Sequence, residues 1–303
     1  MIDPASPGGV RFDEAPEPQP TPSEALIAVE AFSLNHGELP NHGMFAPGSV
    51  PGWDSAGRVI AEAADGTGPK KGSRVVGIGA NGAWAERRAV HTSNLAELPE
   101  GLSAAAASTL PVAAGTALRA LRALGAILGR PVLVTGASGG VGQFAVPLAR
   151  LGGAHVIALA SSASKADALF KIGAHEVVTR VEETSVPVYG VIENVGGQVM
   201  IDCWSRMRNG GMLVSIGYAS GEPASFPIYG TVGPKKSLVS FGLTDSSSGD
   251  EPLGRDLGYL AGLVADGTLD APIVWEGHWE RLGEAIELLD SRKISGKAVL
   301  TIP

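Results

Sequence analysis

The first hundred residues contain short runs in which apolar residues alternate with polar ones or β-branched residues predominate. These runs include EALIAVEAFSL, AGRVIAEA, SRVVGIG and AWAERRAV, and clusters of glycine and proline separate them. A hydrophobic period of two is typical of strands that bury one face. The pattern predicts a mostly β domain over residues 1–105.

The pattern changes near residue 100. The stretch LSAAAASTLPVAAGTALRALRALGAI is rich in alanine and leucine, which favour helix. Ser103 is a candidate N-cap, and Pro111 is expected to separate two helices. This change of composition marks a domain boundary.

Apolar strands then alternate with helical segments over residues 106–269. PVLVTG leads into GGVGQFAVPLARLG and AHVIALA into SKADALFKIG, and HEVVTR, VYGVIENVG, GGMLVSIG and SLVSFGL follow. Buried apolar strands alternating with helices are typical of a doubly wound parallel sheet. The final residues, 270–303, predict a small α+β segment of strand, helix and strand.

Composition narrows the functional classes. Acidic residues outnumber basic ones by 31 to 23, giving a net charge of −8, so nucleic acid and anionic membrane surfaces are not expected partners. Cys203 is the only cysteine, which excludes an internal disulfide and a cysteine-rich zinc site. No membrane-spanning apolar run or targeting signal is found, so a cytoplasmic location is expected.

The stretch VTGASGGVGQ, residues 134–143, allows three interpretations. As a GxSxG elbow it would make Ser138 the nucleophile of a hydrolase, with Asp202 and His278 as later partners. Those partners satisfy only the chain order, and a glycine-rich loop matches GxSxG easily. A TGxxxGxG turn of the short-chain dehydrogenases would need a tyrosine followed four residues later by lysine. None of the four tyrosines has that spacing.

The third interpretation is a relaxed GxGxxG dinucleotide loop. The stretch follows the apolar strand PVLVT and opens a helix, so backbone amides and the helix N-terminus can receive a pyrophosphate. Strand-to-helix turns also use glycine for structural reasons alone. The loop therefore needs a second observation before it indicates a ligand.

The end of the next strand supplies that observation. NAD sites place an acidic residue there, but HVIALA is followed by Ser161 and Ser162, with Lys165 beyond them. Hydroxyls and a cation can bind a 2′-phosphate that a carboxylate would repel. NADP is favoured over NAD, although the serines could also cap a helix and Lys165 could be a solvated charge.

These residues and further motifs carry a resemblance to a known family. The motifs are SLNHGEL, PGWDSAGRV, GSRVVGIG, LPVAAGTALRAL, VLVTGASGGVGQFAVPLARLGG, GAHEVV, VIENVGG, LVSIGYASG and GKAVLTIP. In this order the chain resembles the medium-chain dehydrogenase/reductase superfamily, in its zinc-independent quinone oxidoreductase and enoyl reductase branch. The resemblance implies a GroES-like catalytic domain, formed by the N-terminal third and the C-terminal tail, with a Rossmann domain between.

The resemblance also implies the site residues. Thr116 would approach the nicotinamide, and Asn35 and Tyr218 would orient the substrate beside Trp53; Asn35 could instead form a turn, and Tyr218 could merely fill space. Relatives often carry tyrosine at position 180 and asparagine at 218. The implied cofactor residues are Thr116, Ala137, Ser138, Gly139, Gly140, Val141, Ser161, Ser162, Lys165, Arg180, Asn194, Val195, Ile216, Tyr218 and Phe241.

The resemblance also implies whether zinc is bound and which substrates are reduced. Zinc-dependent relatives have a cysteine within the region LNHGE and a His-Glu pair where this chain has GWD, so no metal is expected. Without a Lewis acid, NADPH-dependent reduction of a quinone or an activated alkene is easier than reduction of a plain ketone. A carbonyl reductase and a non-catalytic NADPH-binding protein stay open as alternatives.

The remaining expectations concern structure and assembly. Asp54 and Glu38 are expected to tie loops. The expected partners are a small-molecule substrate and a second copy of the chain, because relatives commonly dimerise through a Rossmann sheet edge, here SLVSFGL.

Overall fold

A computed structural model describes residues 1–227, 232–233, 235–243 and 252–303 of the chain. It divides into two compact units. Unit 1 comprises Met1–Gly115 and the described part of Thr244–Pro303, and unit 2 comprises Thr116–Leu243.

The described residues of unit 1 include a seven-stranded sheet. Its strands are β1 Glu24–Ser33, β2 Asp54–Ala61, β3 Arg74–Ile78, β4 Arg87–His91, β5 Leu95–Glu97, β12 Ile273–His278 and β13 Lys297–Thr301. The strand order is β12-β13-β1-β2-β3-β5, and β4 also pairs with β1. Buried and less buried residues alternate along the first part of β1, as the period of two predicts.

The first α-helix of unit 1 packs against the sheet, on β1 and β2. Helix α1, Ala104–Ser108, begins at the predicted cap, where the amide of Ala106 donates to Ser103 Oγ at 3.1 Å. Pro111 lies between two α-helices, as expected, but the chain does not leave the helical path there. The proline lies in a π-helical turn, Leu110–Ala114, that is followed directly by helix α2, Gly115–Ala123.

Unit 2 is built on six parallel strands among its described residues. They are β6 Pro131–Val134, β7 His155–Leu159, β8 Glu176–Val178, β9 Val188–Glu193, β10 Met207–Ser215 and β11 Ser237–Ser240, with helices α2 Gly115–Ala123, α3 Gly140–Leu151, α4 Ala166–Lys171 and α5 Gly197–Arg206. The order β11-β10-β9-β6-β7-β8 is the doubly wound Rossmann arrangement, in which all loops at the strand carboxyl ends share one edge. The predicted α/β fold class is confirmed.

The C-terminal tail returns to unit 1. Strand β13 pairs antiparallel with β1, and β12 pairs parallel with β13. Helix α6, Leu253–Ala265, packs against β5, and helix α7, Leu282–Asp290, packs near β13. The predicted Rossmann range 106–269 therefore differs from unit 2, since α6 and the π-helical turn lie in unit 1.

Strand β11 lies at the edge of the unit 2 sheet, where the sequence placed SLVSFGL. The homodimer expected from that edge stays a prediction. Within the described ranges, no helix combines the length and the apolar character needed to cross a membrane.

Helix α6 approaches β5 so closely that its second residue must be glycine. A Cβ on Gly254 would lie 2.5 Å from the carbonyl oxygen of Leu95 and 2.6 Å from that of Ser93, whereas a Cβ on Gly262 would meet nothing within 4 Å. We expect Gly254→Ala to lower the free energy of unfolding by about 1–3 kcal/mol, because backbone atoms must move apart. Gly262→Ala should be neutral or stabilising by up to about 1 kcal/mol. Urea denaturation measures both, and equal effects would contradict the packing.

Candidate functional site

The loop between β6 and α3 is shaped by two glycines. Gly136 has a φ of +56°, in the left-handed region that favours glycine. A Cβ on Gly142 would lie 2.5 Å from both Ala137 Cα and the carbonyl oxygen of Gly136. Helix α3 can therefore start directly against the loop only because residue 142 has no side chain.

The start of α3 offers backbone amides to a ligand. Its N-cap is Gly139, and no side chain among the described residues caps the helix. The first amides of a helix lack intrahelical acceptors and lie at the positive end of the helix dipole, so this end attracts an anion. Ser138, Gly140 and Val141 are partly exposed there, whereas Ala137 is buried and its amide donates to Leu159.

The structure brings the end of β7 to this loop. Lys165, in a 3-10 turn after β7, donates from Nζ to Ser138 Oγ at 3.3 Å. Ser161 and Ser162 are exposed on the same connection. No carboxylate occurs in residues 160–165, so a cation and hydroxyls stand where an acidic residue would favour NAD.

Arg180 follows β8 and has an internal partner. Its Nε donates to Glu183 Oε1 at 3.0 Å, and its side chain is 73% exposed. Backbone donation from Thr179, with further bonds from Arg180 and others, lowers the pKa of Glu183 to about 2. Any anion that binds Arg180 must therefore compete with Glu183.

The turn after β9 is held by a carboxylate that the sequence analysis missed. Glu193 is fully buried, and its Oε1 accepts hydrogen bonds from the amides of Val195 and Gly196 and from Thr135 Oγ1. Asn194 donates from Nδ2 to the carbonyl oxygen of Thr135 at 2.8 Å. Burial raises the pKa of Glu193. The turns after β6 and β9 are thus tied together.

A cavity of about 430 Å³ opens beside that turn. Its lining residues are Gly196, Gly197, Met200, Ser215, Ile216, Gly217, Tyr218, Glu222, Ala224 and Phe241. Three predicted cofactor residues, Ile216, Tyr218 and Phe241, therefore line one cavity, and Tyr218 is 72% exposed. Thr116 is buried in the first turn of α2.

Unit 1 contains a buried cluster of charges around Asn35. Lys297 Nζ donates to Asn35 Oδ1 at 2.6 Å and to the carbonyl oxygen of Leu34 at 2.8 Å, and lies 3.5 Å from Asp54 Oδ2. Asn35 Nδ2 donates to the same Asp54 oxygen at 2.8 Å. Sequence reasoning missed Lys297, although a lysine at the start of the otherwise apolar strand KAVLT was a signal.

Two carboxylates of this cluster tie loops, as expected. Glu38 accepts hydrogen bonds from the amide of Asn35 at 2.9 Å and from that of Trp53 at 3.0 Å. Asp54 Oδ1 accepts from the amide of Val112 at 3.0 Å, in the π-helical turn. One carboxylate thus fixes the backbone of both Asn35 and Trp53, and the other anchors the turn.

A second buried cation completes the cluster. Arg88 donates to the carbonyl oxygens of Trp53 and Asn81 at 2.9 and 2.7 Å and to Ser55 Oγ at 3.0 Å. Burial lowers the pKa of Arg88 to about 10 and also lowers the pKa of Lys297. Burial and the Asp54 carboxylate raise the pKa of Glu38 to about 8.

Across the described part of the chain, no three histidine, cysteine or acidic side chains are grouped so that they could hold a metal ion. Asn35, the predicted catalytic residue of this unit, has both ends of its amide bonded to internal partners.

Comparison with known proteins adds to this geometry. Residues 21–100 match the alcohol dehydrogenase GroES-like domain, and residues 140–251 match the zinc-binding dehydrogenase domain. A chloroplastic quinone-oxidoreductase QR1 from Triphysaria versicolor is 36% identical over 192 residues, which are 56% of each chain. A mycocerosic acid synthase-like polyketide synthase of Mycobacterium tuberculosis is 29% identical over 96% of this chain, which spans only 14% of that relative.

Solved structures of two proteins have the same fold as this chain. The quinone oxidoreductase of Coxiella burnetii superimposes with a TM-score of 0.85 at 26% identity, covering 100% of this chain and 98% of that one. Mycobacterial Rv1454c, solved in complex with NADPH, gives 0.84 at 26% identity, with 98% and 97% covered.

The fold and site define a Rossmann-fold protein with a GroES-like domain. More specifically, the chain belongs to the medium-chain dehydrogenase/reductase superfamily, in its quinone oxidoreductase branch.

The raised pKa of Glu38 predicts a pH-dependent stability. The folded protein keeps the Glu38 proton up to about pH 8, whereas an unfolded chain loses it near the usual 4.5. Between these values the folded state binds more protons, so this contribution to stability falls as pH rises, by at most about 1.4 kcal/mol per pH unit. We expect Glu38→Gln to flatten the decline measured by urea denaturation from pH 5 to 8. Glu30→Gln, on a partly exposed side chain of β1, is the control and should keep the wild-type slope.

Proposed function

We propose that this chain is an NADPH-dependent oxidoreductase that reduces a quinone or an activated alkene by hydride transfer, without a metal. The observation that carries the cofactor assignment is the contact between Lys165 Nζ and Ser138 Oγ, which joins the glycine loop to the end of β7. The quinone oxidoreductases among the relatives support the reaction class.

The residues of unit 2 fit such a dinucleotide. The uncapped start of α3 would hold the pyrophosphate through the amides of Ser138, Gly140 and Val141, and Gly142 keeps that approach open. Ser161, Ser162 and Lys165 would bind the 2′-phosphate. Arg180 would join them by exchanging Glu183 for the phosphate.

The cavity beside the β9 turn would receive the nicotinamide end. Ile216, Tyr218 and Phe241 line it, and Asn194 and Val195 stand on the turn that Glu193 fixes. A buried carboxylate that binds backbone amides keeps such a turn rigid before any ligand arrives.

The favoured substrates are conjugated acceptors. NADPH supplies a hydride when bound, and conjugation then moves the negative charge onto an oxygen of the quinone or enone. Hydrogen-bond donors can hold that oxygen, and donors already fixed in place stabilise the transition state most effectively. In this proposal Asn35 and Tyr218 orient the substrate. The polyketide synthase relatives extend far beyond this chain, so their activities are not carried over.

Cofactor titration tests the assignment. The wild type should bind NADPH much more tightly than NADH, followed by nicotinamide fluorescence. Lys165→Ala with Arg180→Ala should weaken NADPH binding by at least about 100-fold, because two charged groups are removed and charged hydrogen bonds contribute about 1.5–3 kcal/mol each. NADH binding should not change. Lys171→Ala, an exposed lysine on α4, is the matched control and should bind both cofactors as the wild type does.

Turnover separates the remaining alternatives. NADPH consumption should accelerate with quinones or enones, and the product of an enone should lack its C=C bond. A product that keeps this bond would identify a carbonyl reductase. Oxidation no faster than in buffer alone would identify a non-catalytic NADPH-binding protein, and binding of neither cofactor would overturn the whole proposal.

A further inference from the structure

The side-chain amide of Asn35 is held from both ends by opposite charges. Its Oδ1 accepts from Lys297 Nζ at 2.6 Å, and its Nδ2 donates to Asp54 Oδ2 at 2.8 Å. An ammonium group can only donate and a carboxylate can only accept, so the two partners specify which end of the amide is which. A reversed amide would place oxygen against carboxylate and nitrogen against ammonium.

The backbone of Asn35 is fixed as well. Its amide donates to Glu38 Oε1 at 2.9 Å, and Lys297 also donates to the neighbouring carbonyl oxygen of Leu34. Lys297 is only 2% exposed and Asp54 is fully buried, so water does not weaken these interactions. The side chain of Asn35 therefore has one available orientation.

This orientation leaves an N–H group of the Asn35 amide for a ligand. Nδ2 carries two protons, and within the described residues only Asp54 accepts one of them. Asn35 is 9% exposed. The oxygen of the amide already accepts from Lys297, so the N–H of Nδ2 is the group that this orientation offers to a ligand. The ammonium also draws electrons toward Oδ1, which strengthens that donor.

We infer that Lys297 is a positioning residue, which together with Asp54 fixes the Asn35 amide as a hydrogen-bond donor to the substrate oxygen that gains negative charge. The inference rests on the proposed function. In enone reduction the β-carbon receives the hydride, the C=C electrons move to the carbonyl oxygen, and a solvent proton completes the α-carbon. The enone gains two electrons and NADPH is oxidised to NADP⁺. Asn35 stabilises the charged oxygen before that proton arrives.

The donor role is tested by Asn35→Asp. A carboxylate has the same shape but only accepts hydrogen bonds. We expect kcat to fall by about 100-fold, as for the loss of one oxyanion donor, while the Kd for NADPH changes by less than about threefold. Wild-type kcat in Asn35→Asp would overturn the donor role.

The positioning role is tested by Lys297→Met combined with Asp54→Asn. Replacing both members of a buried ion pair is often tolerated, whereas removing one leaves an unpaired charge. The amide of Asn35 is then present but no longer oriented by charge. We expect kcat to fall by about tenfold with KM for NADPH unchanged, a loss worth about 1.4 kcal/mol. Lys70→Met, an exposed lysine paired with Glu62, should behave as the wild type.

A readout without cofactor completes the test. In nuclear magnetic resonance spectra of the wild type, one Asn35 Nδ2 proton should be strongly shifted by Asp54, and this shift should disappear in the double variant. Unchanged kcat and an unchanged amide signal there would overturn the positioning role. If the double variant does not fold, the wild-type spectrum decides, and an unshifted amide overturns the inference. A wild type with the shifted signal but no turnover would overturn the proposed function and not the orientation.

Discussion

The buried ion pair between Lys297 and Asp54 is the constraint on which unit 1 depends. Two charges this deep are tolerated only when their hydrogen bonds are satisfied, and removing one partner of such a pair costs about 3–5 kcal/mol. The ammonium group of Lys297 therefore needs β13 to lie beside β1. There the carbonyl oxygen of Leu34 and Oδ1 of Asn35 accept its hydrogen bonds. The carboxylate requires the π-helical turn, whose Val112 amide reaches Asp54. The charge pair thus joins three distant parts of the chain.

Unit 2 also has a buried carboxylate that fixes a turn. Glu193 is buried at the end of β9 and binds backbone amides of the turn that follows, together with the hydroxyl of Thr135 after β6. In both units a buried carboxylate accepts hydrogen bonds from the backbone amides of a loop or turn and so fixes its conformation. Loops held in this way need little reordering when a ligand binds, and less of the binding free energy is lost to ordering.

The sequence predicted what depends on local pattern and missed what depends on distant partners. The strands of both sheets, the cap at Ser103 and the glycine loop follow from periodicity and turn chemistry. The role of Lys297 could not be predicted in this way, because its partner Asp54 is 243 residues away in the sequence and a lysine at the start of a strand usually lies in solvent. Arg180 was assigned to a phosphate, although Glu183 three residues later offers a nearer partner. The sequence also did not predict that α6 packs in unit 1. That packing depends on the close approach of Gly254 to β5, a contact between residues far apart in the sequence.

Glu38 is the buried carboxyl of unit 1 whose pKa would allow it to act as an acid. Glu38 has a raised pKa and carries a proton near neutral pH, which would suit a general acid. Both of its oxygens, however, face the backbone amides of Asn35 and Trp53, and the residue is fully buried. These two hydrogen bonds hold the loops that carry Asn35 and Trp53. The described contacts of Glu38 therefore fix backbone, and the proposed reaction, in which the proton comes from solvent, does not need this carboxyl as an acid.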